Sequence, residues 1–491
     1  MGRIVLPLAT LLLGALSLAG CSTTQASLTT LAKLWPVEVG PDYARPPVDV
    51  PDKFRGVISP TEAASFADLP WWKVFDDPAL QGLLREALSK NYDLQAAVAR
   101  VEEARALAGV AASELYPQVG YQLGAGREKA FVPFGRGGNF TYNAFSGLFD
   151  VAWEVDVWGR IRRATEAARA TYLANEEARR GVVLTLVSQM ATEYFRLLEL
   201  DRELAIARES ADAYAKAYAL FRERYRQGTD TEISSSRAAA ALQASRSTVA
   251  ALELQIIEQE DAISALLGEA PHAIERGPAL AEQSMPQTPP GLTTAVLERR
   301  PDILAAEQNM IAANAQIGEA VASFFPTIGL SALFGREARS IDDVVKDSFS
   351  IWTVAGQTAG PIFQGGRLLE NYRSQQAFWD EMIARYRQSV VEAFREVADA
   401  LAARAKLAAE HDALEKQVAA LKRAVALSEL RYNTGFAFYF EILDALQQLY
   451  PAEDSLAQVE RDRWLAVITL YKALGGGWNT GAADPGHTAA G

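Results

Sequence analysis

The 491 residues hold few side chains of the kinds that do covalent chemistry, and those few lie far apart. Cys21 is the single cysteine, so neither a disulfide framework nor a cysteine-based zinc site can be built. The histidines, His272, His411 and His487, share no helical turn, and no His-x-x-x-His pair exists to hold a metal. Carboxylates abound, Glu114 and Glu154 among them. None stands beside a base or a glycine-rich loop in a pattern that acid–base or nucleophilic catalysis requires. No phosphate-binding loop is present. Enzymatic activity, catalytic residues and metal ligands are therefore not expected. Lys and Arg number 48 against 61 Asp and Glu, a net charge of −13, which is unsuited to gripping nucleic acid. A hydrophobic content of 49% with 22% charged residues fits a folded chain and not a disordered one.

The chemistry that Cys21 can do is modification. Residues 1–20 read as an export signal, with Arg3 followed by an apolar stretch through Leu18 that is shorter than a bilayer-spanning helix usually needs. The stretch ends in Leu18-Ala19-Gly20-Cys21, which resembles a bacterial lipobox. That resemblance implies that Cys21 is acylated and becomes the new N-terminus, its lipid being the only covalent group carried and no cofactor being needed. Ser22 stands where an aspartate would retain such a lipoprotein at the inner membrane, so the outer membrane is the expected destination. No other apolar run reaches the ~18 uncharged residues of a transmembrane helix.

The elements that follow come in two copies. Asp93 and Asp302 open similar helical runs ending in Leu115-Tyr116-Pro117 and Phe324-Phe325-Pro326, and these lead to Gly126-Arg127-Glu128 and Gly335-Arg336-Glu337, all 209 positions apart. Gly159-Arg160 then matches Gly366-Arg367, and Tyr225-Arg226-Gln227-Gly228 matches Tyr432-Asn433-Thr434-Gly435, at a spacing of 207. The two-residue difference lies between Glu128 and Gly159 in the first copy. Insertions collect in loops, so a surface loop is expected around Ala130 to Asn139.

Proline placement and periodicity predict long helices. No proline falls between Pro133 and Pro271 or between Pro361 and Pro451. The first such helix is expected from about Gly159 to Arg226, roughly 100 Å at ~1.5 Å per residue. Val183, Met190, Leu197, Leu204, Ala211, Tyr218 and Tyr225 recur at heptad spacing, with Leu186, Leu200, Ala207, Tyr214 and Phe221 in a second column. The second copy repeats this with Val390, Val397, Val418, Val425 and Tyr432 beside Ala393, Ala400, Leu407, Leu414 and Leu421, interrupted by Arg404, His411 and Ser428. Such seams are coiled-coil packing, and His411 is expected to be a structural residue within one. Pro451 has no counterpart in the first copy and is expected to kink the last helix.

Between the helices the period changes to two. Val119, Tyr121, Leu123 and Ala125 alternate with Gln118, Gly120, Gln122 and Gly124, and Phe145, Phe149, Val151, Trp153, Val155 and Val157 alternate with Ser146, Asp150, Glu154 and Asp156. Ile328, Leu330, Ala332 and Phe334 do the same, while Phe349 to Phe363 alternates poorly and is placed as a strand by the repeat. The pattern alone fits either hairpins packed on helices or transmembrane β-strands; the export signal favours the second. Four strands cannot close a barrel, which needs about eight, and lipid excludes open edges, so a membrane wall of these strands needs several copies.

Taken in order, these landmarks resemble the TolC-type outer-membrane efflux channels, in particular the lipid-anchored NodT/OprM-like branch. The resemblance rests on Gly40-Pro41-Asp42-Tyr43-x-Arg45-Pro46, Trp71-Trp72-x-x-Phe75-Asp76-Asp77-Pro78, Arg299-Arg300-Pro301-Asp302-Ile303, Phe324-Phe325-Pro326, Arg431-Tyr432-x-x-Gly435 and Ile442-Leu443-Asp444-Ala445. It implies an α+β membrane protein, a homotrimer with a 12-stranded β-barrel, four strands per chain, continuous with a long periplasmic α-helical barrel. The organisation it implies is a signal peptide over 1–20, an acylated extension and equatorial segment over 21–90, repeats over 91–270 and 301–474, an equatorial connector over 271–300 and a flexible tail over 475–491.

The implied function is passive conduction of small molecules to the exterior, delivered by an inner-membrane pump through a periplasmic adaptor. By motif, Tyr432, Phe440, Asp444 and Gln447 fall on a periplasmic gate segment, with Ser234 in the first repeat. Gln447 and Ser234 replace an arginine and an aspartate common in relatives, which implies fewer ion pairs in the closed gate. The turns at Gly228-Thr229 and Gly435-Phe436 match the tips that adaptors engage. Asp150, Glu154 and Asp156 are expected to face the lumen and favour cations. A duct for protein secretion and a periplasmic coiled-coil scaffold are the alternatives.

Overall fold

A computed structural model describes residues 38–47, 74–132, 138–286 and 299–476. The signal, Cys21, Trp71-Trp72 and most of the tail from residue 475 lie outside these residues. The described elements, in chain order, are α1 (Pro78–Lys90), α2 (Tyr92–Ser113), β1 (Gln118–Val132), β2 (Gly138–Val155), α3 (Arg160–Arg226), α4 (Glu232–Leu267), α5 (Pro301–Ala322), β3 (Thr327–Ala338), β4 (Ser350–Ala359), α6 (Arg367–Asn433) and α7 (Phe440–Ala473). The chain divides into two compact units, one comprising residues up to Asp42 with Val110–Ala167 and Asn314–Gln376, the other Tyr43–Gly109, Ala168–Ala313 and Ala377 onward.

The first unit is built on an antiparallel sheet in the order β1-β2-β3-β4. Its register puts Tyr121 beside Phe149, Phe149 beside Phe334 and Phe334 beside Trp352. Val119, Val151, Ala332 and Val354 form a parallel row on the same face. The aromatic side chains Tyr121, Phe149, Phe334 and Trp352 and the row Val119, Val151, Ala332 and Val354 thus share one face, while the other is mixed, carrying Gly120, Asp150 and Thr353 together with Leu148, Leu333 and Ile351. β4 belongs to this pattern although its own sequence alternates weakly, because its partner strand fixes which residues face which way. The expected loop at 130–139 is shorter than predicted: β1 continues to Val132 and β2 resumes at Gly138. The second hairpin instead turns through a helical turn at Ile341–Val344 and a 3-10 turn at Asp347–Phe349. Trp158 closes the base of the sheet, donating from Nε1 to the Pro326 carbonyl at 2.8 Å and stacking on Phe325 with centroids 4.7 Å apart.

The second unit is helical. α3 and α6 are both 67 residues long; of the predicted heptad columns, Leu186, Leu200, Ala207, Tyr214 and Phe221 on α3 and Val390, Ala393, Val397 and Ala400 on α6 are buried, whereas Tyr225 is exposed and Leu407, Leu414, Leu421 and Val425 are only partly buried. Phe195 of α3 stacks on Trp464 of α7, centroids 4.4 Å apart, inside the largest apolar cluster. The polar motifs around Asp77 and Arg300 are fasteners around this core. Asp77 caps α1, accepting from Ala79 N at 2.8 Å, and also accepts from the Tyr194 hydroxyl at 2.8 Å and Gln283 Nε2 at 2.6 Å. Arg300, nearly buried, forks onto Asp302 at 2.6 and 3.0 Å and reaches Glu396 and the Ala473 carbonyl. α7 continues as helix through Pro451.

Candidate functional site

The residues that sequence reasoning singled out fall at the turn ends of the long helices, in the second unit, and at the end of β2, in the first. At the turns, the two repeats use the same backbone device. Thr229 N donates to Arg224 O at 2.9 Å and Gly228 N to Tyr225 O at 3.0 Å; Phe436 N donates to Arg431 O at 2.8 Å and Gly435 N to Tyr432 O at 3.0 Å. This is the Schellman closure, which puts its glycine in the left-handed region, φ 71° at Gly228 and 80° at Gly435. The surfaces differ. Gly228 is followed by Thr229, Asp230, Thr231 and Glu232, whereas Gly435 is followed by Phe436 and Phe438, 80% and 84% exposed.

The candidate gate residues take different positions. Tyr432, in the last turn of α6, accepts a 2.9 Å hydrogen bond from Arg224 Nη2 of α3, and the guanidinium carbon sits 5.7 Å from its ring centroid. Tyr439 meets the Tyr432 ring edge-on at 5.1 Å and the Phe221 ring at 5.6 Å. Burial, then the neighbouring Tyr432 and Glu429, push the Tyr439 phenol above its ordinary range. Tyr432 therefore ties the end of α6 to α3. Asp444 and Gln447 are exposed on α7, and among the described residues Asp444 accepts a side-chain hydrogen bond only within its own helix, from Gln448 Nε2 at 3.0 Å. Phe440 is the first residue of α7 and exposed, and Ser234 lies 3.3 Å, oxygen to oxygen, from Thr231. Arg224 and Tyr439 carry no signal in the sequence; Phe221 is read there only as a seam residue, and the pairing of Arg224 with a tyrosine 208 residues away is visible only in the fold.

Along α7 beyond Pro451 runs a band of partly buried charge. Arg461 reaches Glu199 at 2.6 and 2.7 Å, Lys422 reaches Glu453 at 2.8 Å, and His411 stands 3.8 Å from Glu460. His411 thus sits in the seam with a carboxylate beside it. With Asp412 and Glu415 it also forms, among the described residues, a group of metal-ligating types whose donor atoms lie within 4.8 Å of one another, though both acids are exposed on one helix.

The acids at the sheet end are mostly paired. Arg160 grips Glu154 with two bonds of 2.9 and 3.0 Å, and Asp156, one residue beyond β2, accepts from Arg162 N at 2.9 Å and Arg162 Nε at 3.3 Å. Asp150, opposite Gly120 and Leu333, makes no ion pair among the described residues. The arginines were overlooked in the sequence, although Glu154 and Asp156 each precede one by six residues. Cys21 lies outside the described residues.

Comparison with known proteins adds the following. Residues 83–269 and 292–476 match the outer membrane efflux protein family. The chain is 30% identical to the probable outer membrane lipoprotein SilC of Salmonella typhimurium, over 90% of this chain and 96% of that protein. It is likewise 30% identical to the cation efflux system protein CusC of Escherichia coli K12, over 94% and 98% of the two chains. Among solved structures, the open state of the Neisseria gonorrhoeae MtrE outer membrane channel superposes with a TM-score of 0.81 at 29% identity, covering 90% of this chain and 98% of that one.

Proposed function

The chain belongs to the outer membrane efflux protein family, and from that premise we propose that it is the outer-membrane conduit of a tripartite exporter, passing small molecules outward without catalysis. One observation supports this most directly. The sheet gathers Tyr121, Phe149, Phe334 and Trp352 with Val119, Val151, Ala332 and Val354 on one face, and among the described residues β1 and β4 are both unpaired edges. Such a sheet is stable in lipid only when copies join edge to edge, and three copies of four strands make a wall wide enough to enclose a lumen. Cys21 carries the lipid anchor, a reading supported by the description of SilC as a probable outer membrane lipoprotein. An adaptor engages the Gly228-Thr229 and Gly435-Phe436 turns, and an inner-membrane pump supplies the energy. Tyr432, Phe440, Asp444, Gln447 and Ser234 line or flank the periplasmic gate. Glu154 and Asp156 spend their charge on arginines, so Asp150 is the acid that bears on ion selectivity.

The test is a deletion strain complemented with the wild-type gene or with Cys21→Ser, challenged with a panel of drugs, solvents and metal cations. Restored tolerance with the wild type, and reduced tolerance and outer-membrane recovery with Cys21→Ser, are expected. Tolerance that is the same with and without the gene across the whole panel overturns the proposal.

A further inference from the structure

The two long hairpins are fastened differently at one matched set of positions. The 207-residue spacing that relates Gly228 to Gly435 also relates Gly268 to Gly475, both left-handed, at φ 77° and 72°, so the correspondence holds to the far ends of α4 and α7. By that count Arg208 of α3 corresponds to Glu415 of α6, Glu253 of α4 to Glu460 of α7, and Leu204 to His411. In the first hairpin Arg208 reaches Glu253 at 2.7 Å and ties α3 to α4, while Leu204 is buried in the largest apolar cluster. In the second hairpin an acid stands in place of the arginine and an imidazole in place of the leucine.

His411 occupies the heptad column of Val397 and Val418, both buried, and its own side chain is only 17% exposed. An imidazole there gives up the apolar packing that Leu204 makes and needs polar partners instead. Its Nε2 lies 3.8 Å from Glu460 Oε1, across the seam from α6 to α7. Asp412 and Glu415 converge on it from its own helix, Glu415 one turn further along the same face, and one donor atom from each of the three lies within 4.8 Å of the others. Neither Asp412 nor Glu415 makes an ion pair or a side-chain hydrogen bond among the described residues. Arg202 of α3 lends Glu460 some positive field, but its guanidinium is placed on Glu453, at 3.8 Å. Three carboxylates thus gather about one imidazole where the first hairpin sets a guanidinium against a single acid.

The donor set has the reach and the chemistry of a metal site. Bonds of about 2.0–2.2 Å from nitrogen or oxygen to zinc put two ligand atoms at most ~4.4 Å apart. Rotation of the two exposed acids is enough to bring the set to that spacing. One imidazole with carboxylates and no sulfur suits a zinc-like divalent ion, whereas magnesium and calcium favour all-oxygen shells and soft ions favour thiolate or thioether. His272 makes the contrast. Its Nδ1 lies 3.2 Å from Ser264 Oγ and 3.0 Å from the Ala270 carbonyl, and the acid beside it, Glu269, takes Lys90 at 2.5 Å. No pair of histidines marks the site in the sequence, because its one histidine draws its companions from acids in its own turn and from α7.

We infer that His411, Asp412 and Glu415 bind a divalent cation of the zinc class, with Glu460 as the cross-helix ligand or as the acceptor that orients the ring. The ion fastens α6 to α7 as Arg208–Glu253 fastens α3 to α4, except that this fastener comes and goes with the metal. The second hairpin is thereby stiffened when the ion is bound and relaxed when it leaves. The site lies within one chain, so it stands or falls independently of the efflux role proposed above.

The test uses the full-length, tag-free protein, stripped with a chelator and titrated with Zn2+ and, as a spectroscopic probe, with Co2+. A single Zn2+ per chain is expected to bind and to raise the thermal unfolding midpoint, and Mg2+ to do neither. Co2+ should give visible absorption bands that Zn2+ displaces. His411→Leu, the residue type at the matching position of the first hairpin, should keep the fold and abolish both responses. Glu460→Gln should weaken Zn2+ binding about tenfold. Glu415→Arg, which reproduces the Arg208 arrangement, should raise the midpoint without metal and remove the response to Zn2+. His272→Asn should alter none of these readings. Absence of saturable Zn2+ binding to the wild type, or binding that persists unchanged in His411→Leu and Glu415→Arg, overturns the inference.

Discussion

Asp454 sits on α7 just beyond Pro451, with its Oδ1 shut off from solvent and without a hydrogen-bond partner among the described residues. Burial first, then Glu203 and Glu453, push its carboxyl up to about 6, with Arg202 pulling the other way. An aspartate in the unfolded chain titrates near ~3.9, so the folded state holds this proton more firmly. Its contribution is then intact below about pH 4 and turns against the fold as pH rises through about 6. Asp454→Asn is expected to stabilise the protein at pH 7.5 by on the order of 1 kcal/mol, a figure reduced because the side chain is only partly buried. The gain should vanish near pH 4, and thermal melts at the two pH values check both statements. An equal gain at both would assign the effect to packing. Arg224 makes the complementary case at the tip. Arg224→Ala removes one hydrogen bond and one cation–π contact to Tyr432, together about 1–2 kcal/mol. It should raise cellular uptake of a bulky hydrophilic antibiotic that the closed outer membrane excludes. Unchanged uptake would show that Tyr432 is not held shut through α3.

At the scale of elements, what could be read from the chain was what periodicity encodes. α3 begins one residue after the expected Gly159 and ends at Arg226, and the heptad column from Leu186 to Phe221 is buried along it while the column through Tyr218 and Tyr225 becomes exposed toward the tip, because a 67-residue helix averages out local noise in the pattern except at its end. β4 was legible only through the repeat, since its membrane-like alternation is weak and its partner strand supplies the register. The tip glycines were legible because only glycine readily takes φ near 75° there. The tether on Tyr432 and the arginines on Glu154 and Asp156 were not, because each depends on which helix end lands where. Pro451 belongs to this scale. It removes an amide donor from the interior of α7, leaving the Gln447 carbonyl without its i+4 partner, yet the helix continues through it. Pro451→Ala should stabilise the protein by about 1–3 kcal/mol and slow transport by stiffening the second hairpin. A stabilised variant with unaltered transport would separate the proline from gating.

For the whole molecule the decisive question is which face of the sheet meets lipid. Trp352 and Val354 of β4 lie on the face shared with Phe334, Ala332, Phe149 and Tyr121, and both are exposed in the single chain. Thr353, between them, points to the face of Leu333, Asp150 and Gly120. The two faces of one strand therefore make opposite predictions for the same substitution. A lysine facing lipid near the bilayer midplane costs about 2–4 kcal/mol, whereas one facing a water-filled lumen costs little. Val354→Lys is expected to cut the amount of trimer recovered in outer membranes several-fold. Thr353→Lys should be recovered normally and shift conductance toward anions in planar bilayers. The contrast does not depend on substrate, pump or adaptor, because only the alternation of one strand is being read. If the chain were a water-soluble scaffold whose apolar face packed on helices, Val354→Lys would destabilise the fold in solution, and Thr353→Lys would have no conductance to change.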